Sequence, residues 1–148
     1  NDSTTYPDAC KQDLQKQLSW IDSVLTNAKE DWIIVAGHHP IYAETSKDDS
    51  ERLDMQNRLD PILRKHKVDM YICGHIHNFQ HIRILGRNID YVVNSAGSLA
   101  RKVKPTVGTV FCSPEPGFSV ISADKKTLTL RMIDKKGNIL HTVTRNSQ

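Results

Sequence analysis

No apolar run in this 148-residue chain approaches the roughly 20 residues that a helix needs to cross a bilayer, so no membrane partner is expected. Cysteine is scarce. Cys10, Cys73 and Cys112 are widely spaced, odd in number and form no Cys-x-x-Cys, which excludes a zinc ribbon or a dithiol redox motif. An excess of one charge is lacking too: 20 basic against 17 acidic residues leave a formal net charge of +3, which gives no reason to expect nucleic acid as a partner. There is no internal repeat, no low-complexity segment and no excess that would suggest a fibre, a disordered tail or a disulfide scaffold. With 38% hydrophobic and 25% charged residues, the composition is that of a globular domain, and the length allows one such domain over 1–148. Cys73 lies in an apolar run, where a thiol behaves as a small hydrophobe. Cys10 and Cys112 fall in expected loops and would be free to pair only in an oxidising compartment.

The periodicity changes partway along the chain. Leu14, Leu18, Ile21, Val24 and Leu25 recur at helical spacing between Gln12 and Asn27. Residues 31–37, Asp-Trp-Ile-Ile-Val-Ala-Gly, read as a strand covered on both faces. A polar, acidic loop is expected over 43–50. A second helix follows from about Ser50 to Lys67, with Leu53, Leu59, Ile62 and Leu63 inward and a kink or break at Pro61. Val68 to Cys73 reads as the second strand. Beyond it, His81–Leu85, Ile89–Asn94, Phe118–Ala123, Thr127–Ile133 and Ile139–Thr144 alternate apolar with polar, the pattern of antiparallel hairpins. Ala100 to Gly117 holds three prolines without a period and reads as a long loop. The fold class is therefore α/β, helix-strand-helix-strand followed by antiparallel hairpins.

Gly37-His38-His39-Pro40 and Gly74-His75-Ile76-His77 each close one of the first two strands. Neutral imidazole is the commonest protein ligand for transition metals, and the carboxyl ends of strands are where open α/β sheets place their ligands. A glycine before each histidine lets the backbone approach whatever the ring holds. In an extended backbone His75 and His77 face the same side, whereas the adjacent His38 and His39 face opposite sides. His38, next to its glycine, is the one expected to face the metal. His66, His81 and His141 lack this context and read as surface or packing residues.

These runs resemble the calcineurin-like metallophosphoesterases, and among them the small purple acid phosphatases. The resemblance covers residues 17–97: Gln17-Leu18-Ser19-Trp20, the strand from Ile33 through Gly37-His38-His39-Pro40 to Tyr42, Tyr71 through Gly74-His75-Ile76-His77 to Asn78, and Tyr91-Val92-Val93-Asn94-Ser95-Ala96-Gly97. It implies a dimetal hydrolase that cleaves phosphate monoesters with a metal-bound hydroxide. Iron would be paired with zinc, manganese or a second iron. Position by position, His38 and His75 would bind the divalent metal, His77 the iron, and His39 would contact substrate. The implied fold is half of a four-layer αββα sandwich, and the implied compartment is an exported or enclosed one.

The family's aspartate-x-histidine, glycine-aspartate and glycine-asparagine-histidine runs do not occur here, and neither does the further histidine that some relatives carry past the first histidine run. The chain opens Asn1-Asp2-Ser3 without a charged-then-apolar leader. The expectation is a C-terminal portion of a longer phosphatase, inactive by itself and holding at most one divalent ion. It is expected to associate with the N-terminal half or with a second copy through exposed strand edges. The competing reading is a complete, non-catalytic metal-binding or assembly module, since three histidines suffice for one zinc with an open position. Nucleic-acid binding through Arg101-Lys102-Val103-Lys104 is disfavoured. That run reads as an exposed loop or, functionally, as one that steers an anionic substrate.

Overall fold

Helix α1 (Leu14–Asn27) starts where the Asp13 carboxylate accepts the Lys16 N–H at 2.9 Å. The computed structural model describes residue 8, residues 11–94, residue 97 and residues 99–147, so Cys10, Ser95 and Ala96 lie outside it. After α1 come β1 (Ile34–Ala36), α2 (Ser50–Arg58), α3 (Asp60–Lys65), β2 (Met70–Cys73), β3 (Phe79–Ile82), β4 (Asp90–Val93), β5 (Thr109–Ser113), β6 (Gly117–Ala123), β7 (Thr127–Asp134) and β8 (Ile139–Asn146). The expected second helix is indeed broken at Pro61, which occupies the first turn of α3, where its missing N–H costs nothing. Lys67, at φ +54°, closes α3 in the left-handed conformation, and the Val68 N–H reaches back to the Leu63 carbonyl at 3.2 Å.

Two sheets form. The first has the order β1-β2-β4-β3-β5, with β1, β2 and β4 parallel and β3 antiparallel to both β4 and β5. The second is the meander β6-β7-β8. One face of the larger sheet packs on the helices through Leu25, Leu59, Leu63, Val68, Tyr71 and Tyr91. Its other face meets the smaller sheet, where Met70, Phe79 and Val92 oppose Leu128, Leu130, Met132 and Val143. Strand β7 alternates as a half-buried strand must, with Leu128, Leu130 and Met132 fully buried; each such side chain contributes about 1.5–3 kcal/mol. Helices, mixed sheet and antiparallel sheet make three packed layers of the αββα type. Among the described residues no helix covers the outer face of the smaller sheet.

Several expectations change. β1 spans three residues rather than seven and is an edge strand, paired among the described residues with β2 alone; Val35 packs on the helix-side core, while Ile34 and Ala36, on the opposite face, are exposed rather than covered. β3 is displaced to Phe79–Ile82, and β4 is buried on both faces because the helix-side core takes Tyr91 and Val93 while the core shared with the smaller sheet takes Val92. The loop expected over 100–117 contains β5: between Pro105 and Pro114 the β-forming Val110-Phe111-Cys112 pairs with β3. Cys112 thus lies on a strand, and it and Cys73 are free thiols. Burial pushes the Cys73 thiol up to about 12, which makes it inert. Leu53, Trp20 and Val24 point outward, at 53%, 63% and 48% exposure.

A polar network crosses between the sheets. The fully buried Asp90 carboxylate accepts from His81 Nε2 at 2.7 Å, Arg83 Nε at 2.5 Å and Arg145 Nη1 at 2.8 Å. His81 Nδ1 meets His141 Nε2 at 2.9 Å, and Phe111 stacks on the His141 ring. Arg145 also reaches Asp69 and the Asn88 carbonyl. Burial alone would raise the Asp90 pKa, but its three donors outweigh that and hold it well below the usual carboxylate range.

Candidate metal centre

Because β1 and β2 are parallel neighbours in register, Ala36 beside Ile72, the two histidine turns leave the sheet side by side. Backbone bonds lace them together. The Gly37 N–H donates to the Ile72 carbonyl at 3.0 Å, and the Gly74 N–H donates to the His38 carbonyl at 3.1 Å. The Tyr71 hydroxyl donates to the His39 carbonyl at 2.8 Å. That hydroxyl explains Gly37, since a Cβ there would collide with it. At Gly37 the space is thus needed by a tyrosine hydroxyl rather than by anything the rings hold, and Gly74 meets nothing comparable. In the second turn the left-handed residues are His75 (φ +70°) and His77 (φ +60°) themselves. The Ile76 N–H bonds the Gly74 carbonyl at 2.8 Å, closing a tight three-residue turn on His75. Non-glycine residues in this region store about 1–3 kcal/mol each, as active and ligand sites often do.

His38, His39 and His75 converge, with one ligand nitrogen of each within 4.8 Å of the others. His38 Nε2 and His75 Nδ1 are 3.0 Å apart. His39 does not face away from His38 as an extended chain would require. The chain bends at both residues, and the rings lie edge to face at 5.0 Å. His77 stands outside this cluster. Its carbonyl accepts the Arg101 N–H at 2.8 Å, and its Nδ1 is buried without a hydrogen-bond partner.

Two residues that the motifs did not single out complete the cluster. Glu51, in the first turn of α2, places one carboxylate oxygen 3.0 Å from His75 Nε2 and the other 3.6 Å from His39 Nε2. Lys47 Nζ lies 2.8 Å from His75 Nε2. Their signal was positional: a basic and an acidic residue four apart, straddling a helix start just past the first histidine run. Gln80 fixes this loop by bonding both backbone groups of Glu44 at 2.8 Å. Burial lowers the pKa of His39 and of His75; Lys47 lowers both further and Glu51 opposes it. Both rings are therefore neutral near pH 7, with lone pairs to offer.

The donor set fits one divalent ion. Two nitrogens bound to one metal at the usual length stand about 3.0–3.4 Å apart, which is the His38–His75 spacing. Neutral imidazoles suit zinc-like ions, whereas a trivalent iron needs anionic ligands. Among the described residues no second converging group of three such ligands exists.

The architecture is that of the metallophosphoesterases. A purple acid phosphatase from yellow lupin (Lupinus luteus) seeds shares the fold at a TM-score of 0.67 and 19% identity, over 86% of this chain and 28% of that one. A family model described as calcineurin-like phosphoesterase matches residues 2–79, and the chain belongs to that family. The human tartrate-resistant acid phosphatase type 5 is 31% identical over 134 residues, or 84% of this chain and 40% of the human protein. GAP50, described as the anchor in the inner membrane complex of Plasmodium, superposes at a TM-score of 0.79 with 27% identity, over 90% of this chain and 43% of its own. The chain thus spans less than half the length of these relatives. No helix among the described residues is long and apolar enough to cross a membrane.

Proposed function

We propose that this chain is the histidine-bearing, C-terminal portion of a dimetal phosphohydrolase of the acid phosphatase type, acting on phosphate monoesters. The observation that carries this is the 3.0 Å approach of His38 Nε2 to His75 Nδ1, with His39 alongside, at the ends of two parallel strands of a phosphoesterase fold. His38 and His75 would hold a divalent ion, and His39 would face the substrate or serve as its third nitrogen ligand. His77, with its buried and unpartnered Nδ1, would turn toward the second metal. When bound, such ions polarise phosphoryl oxygens and activate water near neutral pH. The chain's own residues orient and restrain: Glu51 holds the His75 and His39 rings, and the laced turns fix their separation. Carboxylate ligands from outside the histidine cluster would complete the pair, with iron beside zinc, manganese or a second iron. Alone, the chain would bind one divalent ion and turn over no substrate. An exported or enclosed compartment follows from the acid phosphatase relatives by analogy.

Calorimetric zinc titration with a p-nitrophenyl phosphate assay on the same sample tests this. The expected result is one zinc per chain, lost in His75→Ala, without turnover; absence of zinc binding would remove the reading. A second reading, a non-catalytic assembly module, draws on the likeness to GAP50 and on the uncharged open edge of β6, where Phe118, Val120 and Ile121 are exposed. It predicts the same zinc site, but no turnover even when chain carrying the remaining family ligands is supplied.

A further inference from the structure

Leu85 is fully exposed and Val107 is 87% exposed, and the two sit on neighbouring turns. Ile84-Leu85-Gly86-Arg87 is closed by the Arg87 N–H on the Ile84 carbonyl at 3.0 Å. Thr106-Val107-Gly108-Thr109 is closed the same way, by the Thr109 N–H on the Thr106 carbonyl at 3.0 Å. Each has an apolar residue at its second position and a glycine at positive φ at its third, +77° at Gly86 and +82° at Gly108, as a type II turn requires. The Arg83 N–H donates to the Gly108 carbonyl at 2.9 Å, and a Cβ on Gly108 would strike the Arg83 carbonyl, so the turns are locked shoulder to shoulder. Ile84 anchors the first turn in the helix-side core, and the Thr106 N–H on Thr109 Oγ1 at 2.8 Å braces the second. A lone exposed leucine is ordinary; two rigid apolar tips side by side form a feature.

The tips stand at the end of the molecule away from the histidines. β4 starts just after the first turn and β5 just after the second. Both run parallel to β1 and β2, whose far ends carry the cluster. Beside the tips the charge shown to solvent is positive. Arg83 is half exposed and Arg87 partly so, while the carboxylates that hold them, Asp90 and Asp60, are buried. Lys67, just before β2, adds an exposed ammonium at the same end. Glu30, Asp31 and Asp124 gather around Trp32 below β1, on the other side.

We propose that this end is a docking surface for an anionic bilayer, with Leu85 and Val107 inserted below the lipid headgroups and Arg83, Arg87 and Lys67 against the lipid phosphates. The lack of a membrane-spanning helix does not bear on attachment to a surface. Convex, preformed tips suit a soft bilayer, which closes around them without a shaped pocket, and a guanidinium meets phosphate in a fixed fork. Two side chains and a few cations give reversible attachment, and the histidine cluster is left facing the solution. The inference does not depend on the metal reading.

The test is flotation of the whole chain with vesicles of phosphatidylcholine alone and of phosphatidylcholine mixed with phosphatidylserine. It compares wild type, Leu85→Ser, Val107→Ser and Phe118→Ser, the last removing an exposed apolar side chain from the smaller sheet. Wild type should float with the mixed vesicles, and less so as salt is added. Each tip variant should lower the partition by about tenfold, the worth of one buried aliphatic side chain, and Phe118→Ser should leave it unchanged. Tryptophan emission of Leu85→Trp should shift to the blue when mixed vesicles are added. Wild type that ignores mixed vesicles overturns the proposal and leaves the tips to a protein partner. It is equally overturned if wild type floats as well with phosphatidylcholine alone, if the tip variants float like wild type, or if Phe118→Ser loses as much as they do.

Discussion

The molecule contains two histidine–carboxylate assemblies, and they are built to opposite ends. Around Asp90 the buried carboxylate is fully served: His81, Arg83 and Arg145 share it, and His141 continues the chain of bonds under Phe111. Around His75 the same residue types are half-exposed and over-supplied, with Lys47 and Glu51 competing for one nitrogen. A satisfied network adds cohesion and unique packing, whereas an unresolved one has room for a ligand. Residue type does not separate the two assemblies. What separates them is whether each donor already has its acceptor.

The contrast can be broken from either side. Asp90→Ala should have the largest effect, about 3 kcal/mol of unfolding free energy by urea titration, because it leaves the buried His81 and the largely buried Arg145 without their shared acceptor. Zinc affinity per folded chain should not change. His75→Ala should invert that pattern, leaving the urea midpoint nearly unchanged while zinc affinity falls by about 100-fold or more, beyond what loss of a supporting partner costs. Gly37→Ala drives a methyl group into the Tyr71 hydroxyl and should cost about 1–3 kcal/mol; Tyr71→Phe in the same chain should recover part of it.

Acidification should sharpen the comparison by reaching the half-exposed histidines first, His141 at the margin of the Asp90 network among them, and the Asp90 carboxylate itself last. His39, His75 and His141 have folded pKa values lowered by burial, so the unfolded chain binds more protons than the native one as pH falls. Their contribution is present above about pH 6.5 and lost on descending through the range below it. The Asp90 contribution is present above about pH 4 and lost only on further acidification. Urea midpoints measured from pH 8 to 3 should show two declines, the second reduced in Asp90→Asn but not abolished, because Asp22, Asp48 and Asp134 are also held below their ordinary values by hydrogen bonds. Glu51→Ala should have the smallest effect, below about 1 kcal/mol, because its carboxylate is nearly half exposed and faces neutral rings.

The strand ends and their histidines were legible because each signal is local: an apolar run, a glycine, a ring. Pro61 announced the break between α2 and α3 for the same reason. Edge position is not local, and β1 reads like a central strand until its missing neighbour is known. β5 was masked by the prolines that delimit it. The pairing of His38 with His75 follows from strand order, but the inclusion of His39 depended on a bend that an extended reading of His39-Pro40 does not contain. Lys47 and Glu51 enter from a helix start, and the Gln80 clamp that helps hold that loop reaches across 36 residues, beyond any local signal.

The lacing of the two turns has a consequence for rates. The His38 carbonyl and the Gly74 N–H are joined directly, as are the Gly37 N–H and the Ile72 carbonyl, so the rings are borne on one stiff backbone unit with no hinge between them. Bringing the cluster to a capture-ready shape then asks for side-chain rotation, complete in nanoseconds, and for no folding of a loop. Metal uptake should accordingly proceed at the pace at which the arriving ion sheds its own water, and stopped-flow traces with different divalent ions should rank by their water-exchange rates, with little dependence on viscosity.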